Sequence, residues 1–143
     1  MPIYAHSSDS QDESTWEPLP DHLERVAALA EAQAGKFGAA DYGRLGGGLH
    51  DFGKIDPRFQ ARLRGSKAPF DHAGPGAALA RELYGAFAAG ILAPIIAGHH
   101  TGLMDGTRDG EGAVDITPLD ERLQNCIGDL ERQKALWSAE GLT

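Results

Sequence analysis

Apolar residues recur along most of this chain at the three-to-four residue interval of a helix, and almost nowhere at the alternation of a strand. Leu23, Val26, Ala27, Ala30 and Ala34 follow Asp21 and Glu24 at that spacing, and the Asp21/Glu24 pair resembles a capping box, so a helix is predicted to start there with His22 in its first turn. A second helix is predicted over 39–52. Gly43, Gly46, Gly47 and Gly48 each cost it about 1 kcal/mol relative to Ala, which implies close contact with another helix. Asp56-Pro57 supplies the N-cap and first-turn residue of a short helix through Arg64, and His72 follows in a loop. Ala77, Ala80, Leu83, Tyr84 and Phe87 predict a helix over 76–87. A nearly wholly apolar one over 91–100 brings His99 and His100 out at a buried end. Residues 101–116 are rich in Gly and Asp and read as a mobile loop. Thr117-Pro118 then caps a last helix with Leu119, Leu123, Cys126, Leu130 and Trp137 on one apolar face. Only residues 1–5 look strand-like, so the fold class is all-α.

A chain of 143 residues makes one domain with a real core. No apolar run approaches the roughly 18 residues of a membrane span, so the chain is expected to be soluble with no membrane partner. It opens with no signal segment, and the single Cys126 cannot form an internal disulfide. A cytoplasmic location is therefore expected, with Cys126 as a core residue. The formal net charge of −8 argues against a nucleic-acid partner by its sum but not by its distribution. Lys54, Arg58, Arg62, Arg64 and Lys67 are five of the thirteen basic residues, and only Asp56 stands among them. On charge alone this is a solvated helix face. Beside a metal site it is the flank that an entering polyanion needs.

The chemistry centres on the adjacent His50-Asp51, with Lys54 three residues later. Imidazole nitrogen and carboxylate oxygen suit Zn, Mn, Fe, Co or Ni, and a neighbouring pair presents both to one pocket. Taken singly, His22 is an ordinary surface helix residue, His72 an ordinary loop residue and Lys54 a helix C-terminal charge. His99 and His100 differ, because unpaired polar rings at the end of an apolar helix are costly and call for a binding partner. The order His, His-Asp-x-x-Lys, His, His-His over consecutive helices points to one metal site.

These motifs resemble the HD-domain metal-dependent phosphohydrolases, and more closely the CRISPR-associated HD nuclease, the nuclease portion of the type I interference helicase-nuclease. The stretches that carry the resemblance are Ile3-Tyr4-Ala5-His6-Ser7, the helix bearing His22-Leu23 and Val26-Ala27, Leu49-His50-Asp51-Phe52-Gly53-Lys54, Phe59-Gln60, Asp71-His72-Ala73 and Gly98-His99-His100-Thr101-Gly102-Leu103. The resemblance implies a helical bundle with the metal site between central helices. It also implies two divalent ions, the first on His22, His50 and Asp51, the second on Asp51, His72, His99 and His100, with Asp51 as bridge. Lys54 would be an electrostatic partner of the phosphate or of Asp51, and His6 a structural hydrogen-bonding residue. A His-rich set favours Mn, Fe, Co or Ni over Mg.

The implied activity is metal-dependent hydrolysis of single-stranded DNA in CRISPR type I interference. Arg58, Arg62, Arg64 and Lys67 would guide the strand, and a helicase and an RNA-guided surveillance complex would supply it. The alternatives are a phosphohydrolase of a small nucleotide and an inert docking domain. A Gly-Tyr-Pro after the histidine doublet, expected for the cyclic-dinucleotide branch, is missing, as is any phosphate loop of a helicase motor. The family pattern also carries a later Ala-Asp that serves the first ion, and Asp115, Asp120 and Asp129 do not replace it. Residues 1–143 are thus expected to form an HD nuclease domain lacking its C-terminal helices. The first ion position would then be weak, and uncovered apolar surface around Leu123, Leu130 and Trp137 would favour self-association.

Overall fold

The computed structural model describes residues 2–104 and 117–142, so most of the loop expected over 101–116, and Asp115 with it, lies outside the described residues. A short strand β1 (Tyr4–His6) pairs antiparallel with β2 (Glu17–Pro18), and the other regular elements are α1 (Leu19–Gly35), α2 (Ala40–Leu49), α3 (Pro57–Leu63), α4 (Ala73–Gly98) and α5 (Leu119–Ala139). The all-α class holds, with one small hairpin added.

Helix α1 starts two residues before the expected capping box. Pro18 is its N-cap without a side-chain bond, and Asp21 lies inside the first turn. The reason is the hairpin: β2 runs straight into the helix, and Leu19 N–H already donates to Ile3 O at 2.9 Å, so this terminal donor is satisfied without a side-chain cap. Helix α2 stops at Leu49 rather than Phe52, and a single 3-10 turn over Phe52–Ile55 follows. His50 and Asp51 therefore sit at a break in the backbone and not on a helix face. The glycines of α2 do mark close contact, because a Cβ at Gly43 would lie 2.4 Å from Ala30 O and one at Gly47 2.8 Å from Ala27 Cα. Gly48 is different, with nothing nearer than Ala27 Cβ at 4.0 Å.

Asp56 caps α3 as expected, accepting from Arg58 N–H at 2.9 Å. Its buried carboxylate also accepts from Arg132 at 2.8 Å and from Gln133 at 3.0 Å, which ties the 3-10 turn to α5. Burial opposes the charge, but Arg58 and these other donors outweigh it and hold the carboxyl at about 2.

Helix α4 is folded back on itself. A straight helix of 26 residues would be roughly 39 Å long, yet the rings of His72 and His99, which flank it, have centroids 5.9 Å apart. The reversal comes at Gly85, with φ 72° and ψ 177°, a conformation open essentially to glycine alone. The two helices expected over 76–87 and 91–100 are thus the two arms, joined slightly earlier than their pattern suggests. By length and composition α4 is apolar enough to cross a bilayer, with a mean hydropathy of 1.4, which corrects the expectation that no such stretch exists. Its halves instead pack side by side, with Leu79, Leu92 and Ile96 in the core.

Arg122 of α5 clasps this hairpin. It makes a bidentate pair with Asp71 at 2.5 and 2.6 Å, and donates to Ala97 O at 2.6 Å, so one guanidinium ties the start of one arm to the end of the other. Leu123 and Leu130 are each only 4% exposed, and Trp137 packs on Phe52 with ring centroids 5.0 Å apart. Leu123 and Leu130, expected to lie uncovered, are therefore buried against α4, while Trp137 is only half-buried and Ile127 of the same helix is exposed. Cys126 is half-buried against the same core, and burial lifts its thiol to about 11.

Replacing Gly85 by Ala should destabilise the protein by about 1–3 kcal/mol through backbone strain alone, since no atom lies within 4 Å of the added Cβ. Gly48→Ala should leave stability unchanged or raise it by up to about 1 kcal/mol through helix propensity. Urea unfolding of the two variants checks the contrast.

Candidate metal centre

Asp51 is the hub of the site. Its carboxylate is 2% exposed, and each oxygen faces a different set of groups. Oδ2 lies 3.1 Å from His22 Nε2, 3.1 Å from His50 Nε2 and 2.7 Å from Lys54 Nζ. Oδ1 lies 3.6 Å from His72 Nε2 and 3.5 Å from His99 Nε2. Burial alone would raise the Asp51 pKa, but His50, His99 and Lys54 more than offset it and hold the group well below the usual carboxylate range. Lys54 is therefore a buried partner of Asp51 rather than a solvated helix-end charge.

The imidazoles are aimed by acceptors behind them. His50 Nδ1 donates to Gly47 O at 2.7 Å and His99 Nδ1 to Ile96 O at 2.6 Å, each bonding the carbonyl three residues back from a helix C-cap. His22 Nδ1 lies 3.1 Å from Glu17 Oε2, and Glu17 is braced in turn by Arg25. With Nδ1 facing these acceptors, each ring turns its Nε2 toward Asp51. His22 Nε2 and His50 Nε2 also face each other at 3.2 Å, close enough to share a cation.

A second feature that suits a cation lies on the other side of the carboxylate. Asp51 Oδ1 and His72 Nε2 are shut off from solvent and lack a hydrogen-bond partner among the described residues. Unpaired buried acceptors are costly, and a metal ion satisfies both. Burial pushes the His72 imidazole down to about 4, and it also lowers His22, so both rings are neutral donors at pH 7. The donor chemistry fits divalent metals. One ligand atom each from Asp51, His72, His99 and His100 lie within 4.8 Å of one another, as do one each from His6, His22 and Asp51.

All six residues expected in the site are thus brought together around Asp51. His99 and His100 are exposed rather than at a buried end, because α4 ends at the rim of the site and leaves them on its open side. Glu17 went unnoticed in the sequence, although an acid five residues before a helix-start histidine is a usable signal. Asp71 and Arg122 escaped as well, since their pairing spans 51 residues.

The basic segment is less free than its sequence suggests. Arg58 pairs with Asp56 and Asp129, Arg64 with Glu13, and Arg62 donates to Ala68 O, while Lys67 is exposed. Asp56 is therefore not the only acid among these cations. Asp129 pairs with Arg58 and Arg132 and Asp120 accepts from Glu121 N–H, and among the described residues neither belongs to a group of candidate metal donors. Neither replaces the later Ala-Asp. An open groove of about 710 Å³ runs from His72 and His100 past Phe70 and Arg58.

The HD domain family matches residues 20–126, most of the chain. The chain belongs to the HD domain family. The matched span holds His22, His50, Asp51, His72, His99 and His100, and it leaves His6 outside. No curated protein matches the chain in sequence. HD domains are generally metal-dependent phosphohydrolases, and the histidine and aspartate groups of this HD domain suit that chemistry.

Adding Mn²⁺ or Co²⁺ to the metal-free HD domain should stabilise it by about 2.7 kcal/mol at a metal concentration 100 times Kd. Asp51→Asn should abolish most of that gain. Thermal unfolding with and without metal, and with chelator as control, measures the difference.

Proposed function

We propose that this HD domain is a two-metal phosphodiesterase that cuts single-stranded DNA, serving as the nuclease of a CRISPR type I interference system. It would act in the cytoplasm, beside a helicase and an RNA-guided surveillance complex that present the strand. The observation that carries the two-metal part is that the oxygens of Asp51 face separate sets of imidazole nitrogens. His22, His50 and Asp51 would hold one ion, and Asp51, His72, His99 and His100 the other. The predominance of imidazole favours Mn, Fe, Co or Ni over Mg.

When bound, such a pair of ions supplies charge to hold a scissile phosphate and to lower the pKa of an attacking water. The protein orients the donors. Lys54, buried at 2.7 Å from Asp51, balances the carboxylate and fixes its rotation, while the carbonyls of Gly47 and Ile96 fix the rings. The open groove beside His72 and His100 supports a polymer over a small nucleotide, which would want an enclosed pocket. The single-stranded DNA and CRISPR assignment is supported by Ala5-His6-Ser7, the Lys54 spacing and Gly98-His99-His100-Thr101-Gly102-Leu103.

With Mn²⁺, the protein is expected to cleave single-stranded DNA in preference to duplex DNA or nucleotides, and Asp51→Ala should abolish cleavage while the fold persists. Turnover of a nucleotide with single-stranded DNA left intact would establish the small-substrate alternative, and absence of both metal and turnover the docking one.

The basic segment allows a separate check. Of Arg58, Arg62, Arg64 and Lys67, the second and fourth are not paired with acids among the described residues, so Arg62→Ala with Lys67→Ala should weaken DNA binding and flatten its log–log salt slope by about 1.4, for two phosphate contacts on a single strand. Hydrolysis of a small activated phosphodiester should survive. Equal loss of both would instead reveal a folding defect.

A further inference from the structure

The strand that precedes the matched family span ends inside the metal centre. Leu19 N–H donates to Ile3 O at 2.9 Å, and the buried Gln60 amide clamps Tyr4 from both sides, accepting from its N–H at 3.1 Å and donating to its carbonyl at 2.9 Å. The same amide donates to Lys54 O at 2.7 Å, so β1 is tied directly to the turn that carries Lys54. Ala5 is fully buried against Leu19, Leu23 and Ile55. His6 comes next. Its pairing is irregular: Tyr4 stands opposite Pro18 but His6 opposite Glu17, so one strand has an extra residue. Irregularities of this kind re-aim side chains.

The result is a ring directed at the first set of donors. His6 and His22 have ring centroids 4.8 Å apart at 72°, and one ligand atom each from His6, His22 and Asp51 lie within 4.8 Å of one another. Among the described residues no hydrogen bond holds the His6 ring, which does not support the structural hydrogen-bonding role expected from the sequence. Glu17, opposite His6 in the hairpin, is the acid that orients His22. One hairpin thus delivers an imidazole and braces its neighbour.

We propose that His6 is a ligand of the first metal ion, completing a set of His6, His22, His50 and Asp51. The inference rests on the two-ion reading of the site and deepens it. Three imidazoles and one carboxylate make a four-donor set suited to a divalent transition metal, without a further carboxylate. The first position is then not the weak one that the missing Ala-Asp implies.

Co²⁺ titration of the full chain, followed by calorimetry and visible absorption, tests this without reading activity. The wild type is expected to take up two Co²⁺ ions. His6→Ala should weaken one of them by about 10-fold or more and change the absorption of that ion, while His100→Ala should affect the other. His6→Phe separates a ligand from a packing ring, because it keeps an aromatic edge against His22 but has no donor atom. Loss of the same ion in His6→Phe supports ligation. Two ions bound by His6→Ala or by His6→Phe with wild-type affinity and spectrum would overturn the role of His6 and leave the two-ion reading standing. Failure of the wild type to bind any ion would overturn both. Urea unfolding of the metal-free variants, expected to match the wild type because the residue is exposed, shows that any loss is local.

Discussion

Everything in this molecule is arranged around one buried carboxylate. Asp51 lies among four imidazole nitrogens and a lysine ammonium, each within 3.6 Å, in a place that would otherwise exclude a charge. Taking a carboxylate out of water is expensive unless charge is returned to it. Lys54 returns part of that charge. The two oxygens nevertheless remain divided between two sets of imidazole nitrogens, His22 and His50 on one side and His72 and His99 on the other, and that division is what the proposed bridging role rests on.

Holding this arrangement requires backbone as much as side chains. His50 and His99 use the same device, a residue at a helix C-cap whose ring donates to the carbonyl three residues earlier. Helix ends leave such carbonyls unsatisfied, so the ring satisfies the backbone and is itself locked in orientation. His72 is placed differently. It sits at the N-terminal end of α4, next to Asp71, which accepts from Ala73 and Gly74 N–H at 3.0 Å and is gripped by Arg122. Because Arg122 also holds Ala97 O, the α5 helix sets the distance between His72 and the His99-His100 doublet. Helix α5 contributes no metal donor among the described residues, yet the second donor set depends on it.

Charge outside the site follows the same economy of pairing. The segment from Lys54 to Lys67 looks strongly basic when read linearly, but Glu13 and Asp129, one from each end of the chain, neutralise Arg64 and Arg58. These pairs fasten α3 between the N-terminal hairpin region and α5. Arginines that read as a binding surface therefore act partly as fasteners.

Read from its residues alone, the chain discloses its helical class, the short helix capped by Asp56, a close helix contact at the glycines of α2, and the six candidate ligands that the fold gathers around one carboxylate. Local spacing carries these features, because helical periodicity, capping and glycine preference act over a few residues. What required the tertiary structure was of longer range. The reversal at Gly85 turns two apolar segments into a hairpin and brings His72 beside His99. The clasp of Arg122 on Asp71, the acids that neutralise the basic segment, the burial of Leu123 and Leu130, and the approach of His6 to His22 all join residues that local pattern leaves unconnected. A sequence records which donors exist. Their distances come from packing, and a metal centre is a matter of distances.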